Sequence, residues 1–98
     1  LRRSRQRKHE CTVTLSYLKQ LWNSQSICPY SGVQLVLSNP DKRQNVIYTA
    51  SLDRIDSSKG YVPGNVQYVS IAINLMKGTM SHEQTLELCK LVAMHHRK

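Results

Sequence analysis

Acidic residues are scarce in this sequence: six Asp and Glu stand against 14 Lys and Arg, giving a formal net charge of +8 over 98 residues. An imbalance of that size argues against a neutral surface and points to a polyanionic partner, whether DNA, RNA or an acidic membrane face. Long apolar runs are missing too. No stretch approaches the roughly 20 residues that a membrane span needs. The opening residues are charged with no apolar segment behind them, which does not read as a signal peptide. Leu1 without a Met reads as the start of a fragment of a longer protein. Cysteine is sparse: Cys11, Cys28 and Cys89 are odd in number and form no CxxC pair. That argues against a disulfide framework and against a four-thiolate zinc site, and leaves reduced, intracellular thiols as the simplest reading. There is no internal repeat.

What is present fits one small globular domain. Hydrophobic residues make up 40% and charged residues 20%, and a chain of this length buries a single modest core. Residues 1–12 read as a basic arm carrying Arg2, Arg3, Arg5, Arg7 and Lys8, the composition of a solvated tail and of a nucleic-acid-binding arm alike. Residues 13–98 read as the domain. Thr14 is a candidate N-cap, and Leu15, Leu18, Leu21 and Trp22 form a helical stripe expected to face the core. Cys28-Pro29-Tyr30-Ser31-Gly32 predicts a tight turn. Residues 33–37 predict a short strand, 38–45 a surface loop and 46–55 a strand rich in β-branched and aromatic residues. Turns follow at 57–60 and at Pro63-Gly64, then an alternating strand over 65–69. From Ser70 the period becomes helical, with a stop at Gly78. Ser81 and Gln84 match a capping box before the final helix, marked by Leu86, Leu88, Cys89, Val92 and Ala93. His95, His96, Arg97 and Lys98 suit its C-terminus.

The informative stretch is Ser51 to Lys77, SLDRIDSSKGYVPGNVQYVSIAINLMK. Its Leu-Asp-Arg-Ile-Asp, Lys-Gly-Tyr, Asn-Val-Gln and Asn-x-Met-Lys motifs resemble the HNH (ββα-metal, His-Me finger) endonuclease family, in particular a phage and bacterial branch. The upstream Leu15-Ser16-Tyr17-Leu18 and Cys28-x-x-Ser31-Gly32 segments resemble it as well, so the likeness covers about residues 12–77. It implies an α+β fold, a small hairpin-plus-helix core flanked by an N-terminal and a C-terminal helix. It further implies one divalent ion, Mg²⁺ or Mn²⁺, with Asp53 and Asn74 as ligands and Asn65 bracing the hairpin loop. Carboxylate and amide oxygens are hard donors suited to such an ion, which polarises the phosphoryl group. Lys77, one turn past Asn74, is expected on the same helix face, within reach of the phosphate. Taken singly, Asp53 and Asp56 also fit strand-end and turn positions, Asn65 a turn, and Lys77 a helix C-terminal cation.

Two departures from the family pattern matter. The residue after the metal-binding Asp is usually a His acting as general base; here it is Arg54, which stays protonated at neutral pH. Asp56 on the same strand face, a histidine from elsewhere such as His82, or water on the metal are the alternatives. The favoured assignment is Arg54 as phosphate clamp and Asp56 as base. The second departure is that Cys28 has Ser31 where a zinc partner would sit, so no structural zinc is expected and the terminal helices are expected to supply the core.

These features predict a metal-dependent endonuclease that hydrolyses DNA phosphodiester bonds inside a bacterial or phage-infected cell. Arg2, Arg3, Arg5, Arg7, Lys59 and Lys77 would track the DNA backbone, with no membrane partner. The alternative is a non-catalytic nucleic-acid-binding module of nuclease-like fold, which the missing His favours. A third reading, a protein-interaction domain with incidental charge, predicts binding insensitive to salt.

Overall fold

The computed structural model describes residues 10–97. They form, in order, helix α1 (Leu15–Ser24), strand β1 (Ala50–Arg54), strand β2 (Val66–Ser70), helix α2 (Ile71–Lys77) and helix α3 (His82–His95). The strands pair antiparallel, with Ala50 opposite Ser70 and Arg54 opposite Val66. This is the α+β hairpin-plus-helix arrangement, flanked at each end by a helix.

The switch from strand to helix happens at one residue. Ser70 closes β2, and its hydroxyl accepts from the Ile73 N–H, so it also caps α2. Two further donors at the start of α2 are met by the chain before β1: Ile71 N–H donates to Thr49 O and Ala72 N–H to Val46 O, both at 2.9 Å. The helix is thereby fastened to the hairpin's entry. Gly78 ends it with φ of 51°, a conformation that a residue with a Cβ adopts only under strain.

That fastening explains why the expected strand over 46–55 is shorter. Only Ala50–Arg54 is strand. Residues 46–48 turn because Asn45 gathers them: its side-chain oxygen accepts from Ile47 N–H at 3.0 Å, and its carbonyl accepts from Tyr48 and Thr49. A local Asn side chain here overrides β-propensity. The expected strand over 33–37 is likewise reduced to isolated bridges, Gln34 to Ile27 and Val36 to Thr49.

The terminal helices do not supply the core, contrary to expectation. The buried cluster is Cys28, Leu35 and Val69, with Trp22, Tyr30, Val33, Ala50, Tyr68 and Ile73 packed around it. Helix α1 buries no residue fully, and Leu15 at its start is 69% exposed. It docks by Trp22, edge-on to Tyr68 at 5.2 Å, and by Tyr68 Oη donating to Leu18 O and Gly64 N–H donating to Tyr17 Oη. Helix α3 buries only Thr85. A two-stranded sheet is too narrow to cover two amphipathic helices. Residues 10–12 instead lie along the hairpin loop, where Tyr61 N–H donates to Glu10 O and Thr12 N–H to Tyr61 O. A Cβ at Gly60 would strike the Glu10 backbone. No described helix is long and apolar enough to cross a membrane.

Candidate active site

Asp53 is the fourth residue of β1, and its side chain is almost fully enclosed, at 6% exposure. Its register partner on β2 is Gln67, whose Nε2 donates to Asp53 Oδ2 at 3.0 Å. The same oxygen accepts from Lys77 Nζ at 2.8 Å, and Lys77 also donates to Arg54 O at 2.9 Å. Lys77 is only 2% exposed. A buried pair of this kind is costly to desolvate, and removing either partner alone leaves an uncompensated charge. Both donors converge on Oδ2, and among the described residues Oδ1 accepts no hydrogen bond.

Asn74 lies on α2 one turn before Lys77, where the i to i+3 spacing keeps the two on neighbouring faces. Its Nδ2 donates to Ser51 Oγ at 2.7 Å and to Leu52 O at 3.3 Å. The amide oxygen accepts nothing among the described residues. The start of β1 thus receives Asn74 and its end receives Lys77. The donor set fits a hard divalent cation: one carboxylate oxygen and one amide oxygen stand without hydrogen-bond donors. No cluster of three or more His, Cys, Asp or Glu side chains suited to a metal stands among the described residues. An ion held here would therefore keep most of its coordination for water and phosphate oxygens, as Mg²⁺ does.

Asn65 sits across the loop between the strands and is 7% exposed. Its Nδ2 donates to Gly60 O at 2.8 Å and Asp56 O at 3.1 Å, while Oδ1 accepts from Asp56 N–H at 2.9 Å. Three hydrogen bonds from one buried amide hold residues 56–60 in shape. Within that loop Asp56 Oδ1 accepts from both Ser58 N–H and Ser58 Oγ, at 2.9 and 2.7 Å. These bonds, with the Lys59 charge, hold its carboxyl below the usual carboxylate range.

Arg54 turns toward the same loop. Its Nη1 donates to Ser57 O at 2.9 Å and Lys59 O at 3.0 Å, and its guanidinium lies over the Tyr61 ring, 5.4 Å from the centroid. Nε and Nη2 donate to no described residue, so the fork is anchored at one corner and free at the others. Lys59 is exposed beside it. Arg2, Arg3, Arg5 and Arg7 lie outside the described residues.

Three participants escaped sequence reasoning: Gln67, Ser51 and Tyr30. Gln67 becomes visible only once the strand register is known, and a one-residue slip would turn it away. Tyr30 carries no motif of its own. Burial, and second the charge of Asp53, push its phenol above the ordinary tyrosine value. Its Oη lies 3.0 Å from His82 Nδ1.

The hairpin and the directly following helix make an HNH-like ββα fold. Among solved structures the chain is similar to the rare-cutting HNH restriction endonuclease PacI, described for its perturbation of DNA, at 25% identity and a TM-score of 0.59. The likeness covers 89% of this chain and 66% of that one, so the chain spans just under two thirds of its structural relative. No family model matches the chain, and no curated protein does.

Proposed function

We propose that this domain is a divalent-metal-dependent endonuclease that hydrolyses DNA phosphodiester bonds inside the cell. The observation that carries the reading is the pair of unengaged oxygens, Asp53 Oδ1 and Asn74 Oδ1, on the strand and helix of an HNH-like fold. A bound Mg²⁺ or Mn²⁺ would supply Lewis-acid polarisation of the phosphate. Every other contribution comes from the chain itself. Gln67 and Lys77 hold Asp53 by Oδ2 and leave Oδ1 without a donor among the described residues. Asn65 holds the loop that carries Asp56 and Lys59. Arg54, tied to that loop by Nη1, offers its remaining donors to a phosphate in the bidentate manner that suits guanidinium. Lys77, expected from sequence to contact phosphate, serves in this reading to orient Asp53, because its ammonium is enclosed. The arm residues Arg2, Arg3, Arg5 and Arg7, with Lys59, would hold the DNA backbone without reading sequence.

A second reading keeps the binding and drops the cutting. Arg54 at the position of the usual base is the observation that favours it. Supercoiled plasmid incubated with the protein separates the two. Nicking in Mg²⁺ or Mn²⁺ that stops in EDTA is the expected result. Salt-sensitive DNA binding with no nicking in either metal supports the binding module instead.

A further inference from the structure

Neither Arg54 nor Asp56 is a strong acceptor for a proton from water. Arg54 stays protonated, and the Asp56 carboxylate accepts from two Ser58 donors that make it a weak base. One imidazole stands where it can take over. His82 is the first residue of α3 and is exposed. It lines a cleft with Ile55, Asp56 and Ser57, residues that continue directly from the strand bearing Asp53. Its Nδ1 is 3.0 Å from Tyr30 Oη, and the two rings lie 4.9 Å apart at 52°. Tyr30 in turn follows Cys28 of the core and lies within electrostatic reach of Asp53. Residues 30 and 82, 52 apart in sequence, thus meet beside the segment that leads out of the Asp53 strand.

We propose that His82, oriented by Tyr30, is the general base of this site and replaces the histidine absent at position 54. The proposal rests on the nuclease reading above. It requires the tautomer in which Nδ1–H donates to the phenol oxygen, which leaves the Nε2 lone pair free. As the water oxygen bonds to phosphorus, its proton passes to Nε2 and the bond from phosphorus to the departing sugar oxygen breaks. The sugar oxyanion takes a proton from solvent, and the imidazolium later releases its own. No oxidant or further reactant is needed. The neutral phenol accepts from imidazolium as well as from imidazole, so Tyr30 holds the ring through the whole transfer. Asp56 and Glu83 are the anionic residues that line the same cleft.

The test is plasmid nicking in Mg²⁺ by wild type, His82→Ala and Tyr30→Phe, each with and without added imidazole. His82→Ala is expected to lose roughly 100- to 10,000-fold in rate, the span of general-base contributions, and to regain part of it with imidazole. Its DNA affinity should stay at the wild-type level. Tyr30→Phe, which keeps the ring and removes the oxygen, should fall between the two. Nicking by His82→Ala at the wild-type rate overturns the proposal and leaves the nuclease reading intact. A loss that imidazole does not restore, together with weakened DNA binding, overturns it in favour of a structural role. A wild type that never nicks removes the nuclease reading itself, and this inference with it.

Discussion

The contact between Lys77 and Asp53 joins two enclosed charges, each hydrogen-bonded to the other. Lys77→Met should therefore cost about 3–5 kcal/mol of stability, the range for leaving one buried charge unpaired. Urea denaturation measures it, and Asp53→Leu combined with Lys77→Met should recover most of the loss. Asn65→Ala removes three hydrogen bonds from a buried position and should cost about 1–3 kcal/mol by the same measurement. Asp56 predicts a pH effect whose sign follows from its lowered pKa. Its stabilising contribution is present above the unfolded-state value and is lost as pH falls through the lower folded-state value. Ser58→Ala should raise the Asp56 pKa toward an ordinary carboxyl, read by NMR titration, and weaken that acid-limb dependence, the Ser58 N–H bond remaining. At this scale motif spacing singled out Asp53, Asn65 and Asn74 as candidates, and their roles in metal binding and catalysis remain proposals. It gave no role to Gln67, present only within the Asn-Val-Gln motif, or to Tyr30, because their placement depends on strand register and on a contact across 52 residues with His82.

The elements divide by what holds them. The hairpin and α2 are joined by several hydrogen bonds, whereas α3 is held by the burial of Thr85 and by the Tyr30–His82 contact. Local capping therefore matters more for α3 than packing does. Ser81 accepts from Gln84 N–H while the Gln84 side chain accepts from Ser81 N–H. Ser81→Ala should cost about 1 kcal/mol and fray the start of α3, seen as faster amide exchange over its first turn with β1 and β2 unchanged. The capping box, the Gly78 stop and the Ser70 change of period were all readable, because each is a local chemical signal. The strands expected over 33–37 and 46–55 were not. Their apolar residues satisfy the β pattern, yet Asn45 and the start of α2 claim the backbone groups that a longer ladder would use. The apolar stripes of α1 and α3 read as core for the same kind of reason: periodicity reports a face, not whether the fold is large enough to cover it.

For the whole molecule the governing quantity is a charge of +8. If Arg2, Arg3, Arg5, Arg7, Arg54 and Lys59 each neutralise a phosphate, DNA affinity should fall roughly 1,000-fold between 50 and 200 mM salt. A fluorescence-anisotropy titration across that range measures the slope, and a flat response supports a protein-interaction domain instead. Likeness to PacI over 89% of the chain sets these residues in an HNH-like frame, while cleavage rests on the proposed chemistry of Asp53 and Asn74. That chemistry is tested most directly by one comparison: nicking of supercoiled plasmid in Mg²⁺ by wild type and by Asp53→Ala, with folding of both verified by circular dichroism. Metal-dependent nicking by wild type that vanishes in a folded Asp53→Ala is the predicted result. Equal nicking by the two proteins, or none by wild type in any divalent metal, contradicts the account.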